Sequence, residues 1–159
     1  MFNRIEYKSY KMANITCFGE VLWDVFPTHK KIGGAPLNVA VRLQSLGSNV
    51  SFISSVGNDA KGEEIVKFII EQGVKTENIQ VDEKLKTGKV NVMLNEKGSA
   101  SYDIIFPRAW DNIQLTDQSK QMTQTADAFI FGSLVARGDT SRNTLFDLLK
   151  LAKYKILDI

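Results

Sequence analysis

Residues 31–40 read KIGGAPLNVA, and the run Gly33-Gly34-Ala35-Pro36-Leu37-Asn38-Val39-Ala40 decides how the chain is read. Pro36 suits the opening of a helix, where its missing N–H would be unpaired in any case. Two glycines before it let the backbone turn sharply and let another molecule approach. Asn38 is the odd member, because an amide among apolar neighbours needs a partner. It is either a satisfied core amide or a group for recognising hydroxyls, since it can both donate and accept.

Outward from this point, strands and helices alternate. Asn14 to Leu22 reads as one buried strand, Leu37 to Leu46 as a helix stopped by Gly47, and Val50 to Val56 as a second strand. A turn at Gly57-Asn58-Asp59 leads to a helix over Gly62 to Gln72 with a broad apolar face and Gly73 as its stop. Ala128 to Phe131, Ser141 to Ala152 and Lys155 to Ile159 read as strand, helix and strand. This rhythm predicts an α/β fold with a doubly wound parallel sheet.

The middle of the chain breaks the rhythm. Lys89 to Asn95 and Ser99 to Phe106 alternate polar and apolar residues around Asn95-Glu96-Lys97-Gly98, which predicts a β-hairpin. Such half-polar strands do not belong inside a sheet covered on both faces. The hairpin is expected to stand off the body as a small lid.

Composition narrows the function. The chain has 159 residues, 43% hydrophobic and 24% charged, with a formal net charge of +2. Its basic residues are scattered, which argues against nucleic acid or an anionic membrane as partner. No apolar run approaches the ~20 residues of a membrane span. One cysteine, Cys17, and one histidine, His29, leave no intramolecular disulfide and no Cys- or His-rich metal cluster. Cys17 reads as a small buried hydrophobe and His29 as a solvated loop residue. The opening residues lack the apolar core of a secretory signal. Residues 1–13 are expected to be an N-terminal extension, with Met12 an alternative start, and the setting to be cytoplasmic.

Ligands of open α/β sheets bind at the carboxyl ends of the strands. Asp24, just past the expected first strand, would sit at that rim as a hydroxyl acceptor or as a turn-capping carboxylate. Glu20 carries the same two readings. Arg108, Trp110 and Asp111 either close over a ligand or anchor the hairpin. Gly33-Gly34 before a helix allows a phosphate site, but neither G-x-G-x-x-G nor G-x-x-x-x-G-K-[ST] is present.

Taken together, Gly33 to Gly57 resembles the first signature of the PfkB, or ribokinase-like, carbohydrate kinases. The glycine pair, Pro36, Asn38 and Ala40 fall at the required positions, with Gly47 after six intervening residues and Gly57 after nine more. GEVLWD (residues 19–24) resembles the family's first strand, and PRAWDNI (residues 107–113) a segment of its fructokinase-like members. The resemblance runs from Ile15 to Ile159. It implies a ribokinase-like sheet with a β-hairpin lid formed near residues 24–34 and 87–108.

It also implies that Asp24, Gly33, Gly34 and Asn38 bind a sugar, with ATP and Mg2+ as cofactors. The implied reaction is phosphorylation of a sugar hydroxyl, most readily fructose to fructose 6-phosphate. Ribose, a keto-deoxy sugar acid or a nucleoside are alternative acceptors, and a non-catalytic sugar-binding domain is an alternative role. The family's second signature, which supplies the catalytic base and the phosphate-holding helix, is not among these residues. Residues 14–159 are therefore expected to be the N-terminal part of a truncated kinase domain, without a catalytic residue of their own. The hairpin also raises the expectation of a homodimer through the lid.

Overall fold

The computed structural model describes residues 12–94 and 99–158. Most of the expected extension and the hairpin tip, residues 95–98, lie outside the described residues. The order is β1 (Asn14–Phe18), β2 (Leu22–Val25), β3 (Lys30–Gly33), α1 (Ala35–Ser45), β4 (Asn49–Gly57), α2 (Ala60–Glu71), β5 (Lys75–Asp82), β6 (Gly88–Leu94), β7 (Ala100–Ile104), α3 (Asp117–Thr125), β8 (Ala128–Gly132), α4 (Asp139–Leu151) and β9 (Lys155–Asp158). Short 3-10 turns lie at Ala109–Asn112 and Leu134–Arg137.

Five strands form a wholly parallel sheet in the order β5-β4-β1-β8-β9. Successive side chains on a strand face opposite ways, and here each face meets its own helices. Cys17, Phe52 and Ile130 join Leu37, Ala40, Ile65 and Ile69 of α1 and α2 in one core. Their neighbours Phe18, Ile53 and Phe129 join Leu145 and Leu148 of α4 in the other. Apolar residues on both sides of each central strand therefore make the sheet doubly wound.

The second sheet has four strands rather than two, in the order β3-β2-β6-β7. The hairpin β6–β7 is antiparallel, but β6 also pairs in parallel with β2, which pairs antiparallel with β3. The expected single strand Asn14 to Leu22 is thus two strands in different sheets. The chain leaves the main sheet at Gly19, whose φ of +152° is open to glycine and strained for other residues. It returns at Gly33 and Gly34, where β3 ends and α1 begins.

Two further elements carry little apolar signal. β5 (KTENIQVD) is an edge strand with only Asn78 buried, and α3 (DQSKQMTQT) buries Ser119 and Thr123. Thr116 caps α3 by accepting from the Ser119 N–H at 3.0 Å. Asp59, expected in a plain turn, is the cap of α2. Among the described residues no helix is long and apolar enough to cross a membrane.

Candidate sugar site

Asp24 does not follow the first strand of the main sheet. It lies inside β2 of the second sheet, opposite Lys31 on β3 and Val90 on β6. The reason is the crossing at Gly19, which moves the chain out of the main sheet before Asp24 is reached. A Cβ built on Gly33 would collide with the Asp24 Oδ2, so the carboxylate occupies the place where a side chain of residue 33 would be. The structure therefore brings two of the expected residues together. With a side chain at position 33 that carboxylate would have to swing aside.

The Asp24 side chain forms no hydrogen bond or ion pair among the described residues. Burial raises its pKa above the ordinary carboxylate range, and Lys31 opposes the rise. A half-buried acceptor with nothing donating to it is chemically suited to neighbouring hydroxyls.

Gly34 is the cap residue of α1, with φ +119°. A Cβ there would run into the backbone carbonyl of Glu20 and lie 3.2 Å from the Val21 Cα. Asn38 follows one turn later, its N–H donating to the Gly34 carbonyl at 2.9 Å. The expectation of an amide among apolar neighbours is corrected here. Leu37 and Ala40 face the core, whereas Asn38 is on the exposed side of α1. The helical period separates them. Its side-chain amide has no partner among the described residues, so it is free to meet a ligand.

Glu20 carries more than the sequence suggests. It is 3% exposed, and its Oε1 accepts from the Ala35 N–H at 3.2 Å. The first free amide of α1 is thus already met by an acceptor from the chain itself. Its Oε2 is buried with no partner among the described residues. Burial raises its pKa; hydrogen bonds from its own N–H and that of Ala35 oppose this, Asp158 adds to it, and Arg137 opposes it.

Trp110 and Asp111 are resolved in favour of anchoring, and Arg108 joins them through its backbone. Trp110 is fully buried, and the Asp111 carboxylate accepts from the Arg108 N–H at 2.7 Å and pairs with Arg137. Arg137 had no sequence signal: it follows Leu-Val-Ala in a stretch with no recognisable spacing. A cavity of about 660 Å³ lies beside α2 and β5, with Val66, Ile70 and Val81 in its lining. None of the four expected sugar residues lines it.

Known proteins share this fold. The uncharacterized sugar kinase PH1459 of Pyrococcus horikoshii is 37% identical over 132 residues, 83% of this chain and 42% of that protein. Its crystal structure superposes with a TM-score of 0.85, covering 92% of this chain and 53% of that one. A fructokinase of Vibrio alginolyticus is 27% identical over 147 residues, 89% of this chain and 48% of its own. The ATP-bound fructokinase structure from Xylella fastidiosa is 29% identical with a TM-score of 0.77, over 88% of this chain and 45% of that one. The chain spans about half the length of the curated relatives it matches. Residues 2–154 match the pfkB family of carbohydrate kinases, and with the ribokinase-like sheet and the signature around Asn38 in place, the chain belongs to that family.

Proposed function

We propose that this chain holds the sugar in an enzyme that transfers the γ-phosphate of ATP to a sugar hydroxyl, with the 6-hydroxyl of fructose as acceptor. Asp24, Gly33, Gly34 and Asn38 are the residues assigned to the sugar. The observation that carries this reading is the unpartnered Asp24 carboxylate lying over Gly33. Fructokinases among the relatives support fructose as the acceptor, and the ATP-bound relatives support ATP as donor.

ATP and Mg2+ are not assigned to the residues present. Among the described residues no group of three or more acidic, cysteine or histidine side chains is placed to hold a metal ion, and the first amide of α1 is already taken by Glu20. No transfer step is assigned to them. Their part is positioning, which supplies much of the barrier reduction in phosphoryl transfer.

Calorimetry of the 159-residue chain against fructose, ribose, a keto-deoxy sugar acid and a nucleoside tests the reading. Fructose is expected to bind, and Asp24→Ala to weaken it by about 10- to 100-fold, the worth of hydrogen bonds to a charged group. Tighter binding of another acceptor transfers the assignment to it; binding unaffected by Asp24→Ala removes the site. Formation of fructose 6-phosphate from ATP by this chain would overturn the purely positioning role. Pairing of two copies through β6 and β7 belongs to the same proposal, supported by Tyr102 at 63% exposure. A concentration-independent monomer in sedimentation overturns that part.

A further inference from the structure

Between β1 and α1 the chain crosses out to the second sheet through Gly19, Glu20 and Val21 and back through Gly33 and Gly34. Glu20 sits in the first crossing and grips the second. Its carbonyl lies where a side chain on Gly34 would have to go, and its Oε1 takes the Ala35 N–H at 3.2 Å. Its other oxygen, Oε2, is buried, has no partner among the described residues, and lies 3.4 Å from where a Cβ on Gly132 would be. Leaving a buried carboxylate oxygen unpaired is costly when it is charged.

We propose that Glu20 is a positioning residue whose carboxyl ties the two crossings together, and so sets Asn38 on α1 in register with Asp24 on the second sheet. This rests on reading Asp24 and Asn38 as sugar-binding residues. Nothing in the sugar chemistry requires Glu20 to touch the ligand; its effect passes through the Ala35 amide and the Gly34 turn. The free Oε2 fits a neutral acid, which still accepts from Ala35 through its carbonyl oxygen.

The charged groups acting on Glu20 are Asp158 at the end of β9 and Arg137 after β8. Burial, the largest influence, lifts the pKa of Glu20, so the folded protein binds this proton more tightly than the unfolded chain. The resulting stability is fully present below the ordinary glutamate value of 4.5 and is lost as pH rises through the folded pKa. Glu20→Gln, neutral at every pH, removes that dependence while keeping an acceptor for Ala35.

The test compares the parent chain with Glu20→Gln and Glu20→Ala by amide hydrogen exchange at Ala35, fructose affinity, and thermal unfolding across pH. Losing this hydrogen bond is expected to speed Ala35 exchange and weaken fructose by about tenfold in Glu20→Ala, with Glu20→Gln within about threefold of the parent. The parent is expected to lose stability relative to Glu20→Gln as pH rises above the ordinary glutamate range. An Ala35 amide equally protected in Glu20→Ala overturns the proposal, as does a Glu20→Gln variant as impaired as Glu20→Ala. If Glu20→Ala does not fold, parallel pH profiles of parent and Glu20→Gln overturn it. Absence of fructose binding by the parent chain counts against the sugar reading alone, because Ala35 exchange and the pH profile still decide the role of Glu20.

Discussion

Arg137 and Asp111 meet at two points, Nε to Oδ1 at 2.7 Å and Nη2 to Oδ2 at 2.9 Å, with Asp111 only 6% exposed. The same guanidinium donates to the carbonyls of Ile104 and Ile105 at 3.1 and 2.8 Å, and lies 3.9 Å from the centre of the Trp110 ring. One side chain from the turn after β8 thus holds the end of β7 and the turn containing Trp110. The second sheet is fastened to the body here as well as at the glycine crossing.

Removing Arg137 would leave Asp111 buried without its cation. Arg137→Met is expected to lower unfolding free energy by about 3–5 kcal/mol, as for other broken buried pairs. Arg137→Lys should recover only part of it, because an ammonium cannot reproduce the two-point fork. Urea unfolding monitored by tryptophan fluorescence reads both. An unchanged midpoint in Arg137→Met would mean the pair contributes no net stability.

Two glycines at helix ends separate backbone strain from crowding. Gly34 and Gly47 both have positive φ, +119° and +89°, but a Cβ on Gly34 meets the Glu20 carbonyl while one on Gly47 meets nothing within 4 Å. Gly47→Ala is expected to cost about 1–2 kcal/mol, the strain of the left-handed region. Gly34→Ala should cost more, since Glu20 or α1 must also shift, and should reduce fructose binding where Gly47→Ala does not. Thermal unfolding and calorimetry on the two variants check the ordering. Equal costs would show that the crowding at Gly34 relaxes freely.

What was legible in the sequence was what local pattern encodes. The strands Val50 to Val56 and Ala128 to Phe131, and the three helices with apolar stripes, stand within two residues of their expected places. The signature around Gly33 and Asn38 pointed to the family that residues 2–154 match. What was hidden depends on contacts distant in the chain. Gly19, Glu20 and Val21 are all buried, so the crossing between sheets looks like the continuation of an apolar strand. β5 and α3 are polar because one lies at a sheet edge and the other buries small hydroxyl side chains. Arg137 is 26 residues from Asp111, a pairing no spacing rule reveals.

Asp59 joins α2 to the start of β6. Its Oδ1 accepts from the Gly62 N–H at 3.0 Å and the Thr87 hydroxyl at 2.7 Å, and its Oδ2 from the Thr87 N–H at 3.0 Å. Burial pushes its pKa up, but these three donors and nearby Lys86 outweigh it and hold the carboxyl below the ordinary aspartate value. Stability from this group is therefore present above the unfolded value of 3.8 and lost as pH falls through the lower folded pKa. Asp59→Asn is expected to cost about 1–2 kcal/mol at neutral pH, typical of a lost cap. The gap to the parent should narrow in acid, as read by urea midpoints across pH. A gap independent of pH would mean that the charge of Asp59 is irrelevant to the tie.

Cys17 offers a probe of the main sheet that touches none of the proposed sugar residues. Its side chain is 0% exposed in the middle of β1, between β4 and β8. Burial, with a smaller push from Asp158, raises the thiol pKa to about 12. The thiolate is the reactive form, so the native protein presents almost none of it at mildly alkaline pH, and no path for a reagent to reach it. Reaction with an aromatic disulfide should be suppressed at least ~100-fold relative to the urea-unfolded chain, since it requires the centre of the sheet to open. Destabilised variants such as Arg137→Met should react faster in proportion to their loss of stability if opening is global. Rapid labelling of the native parent would mean that β1 opens locally, without unfolding of the sheet around it.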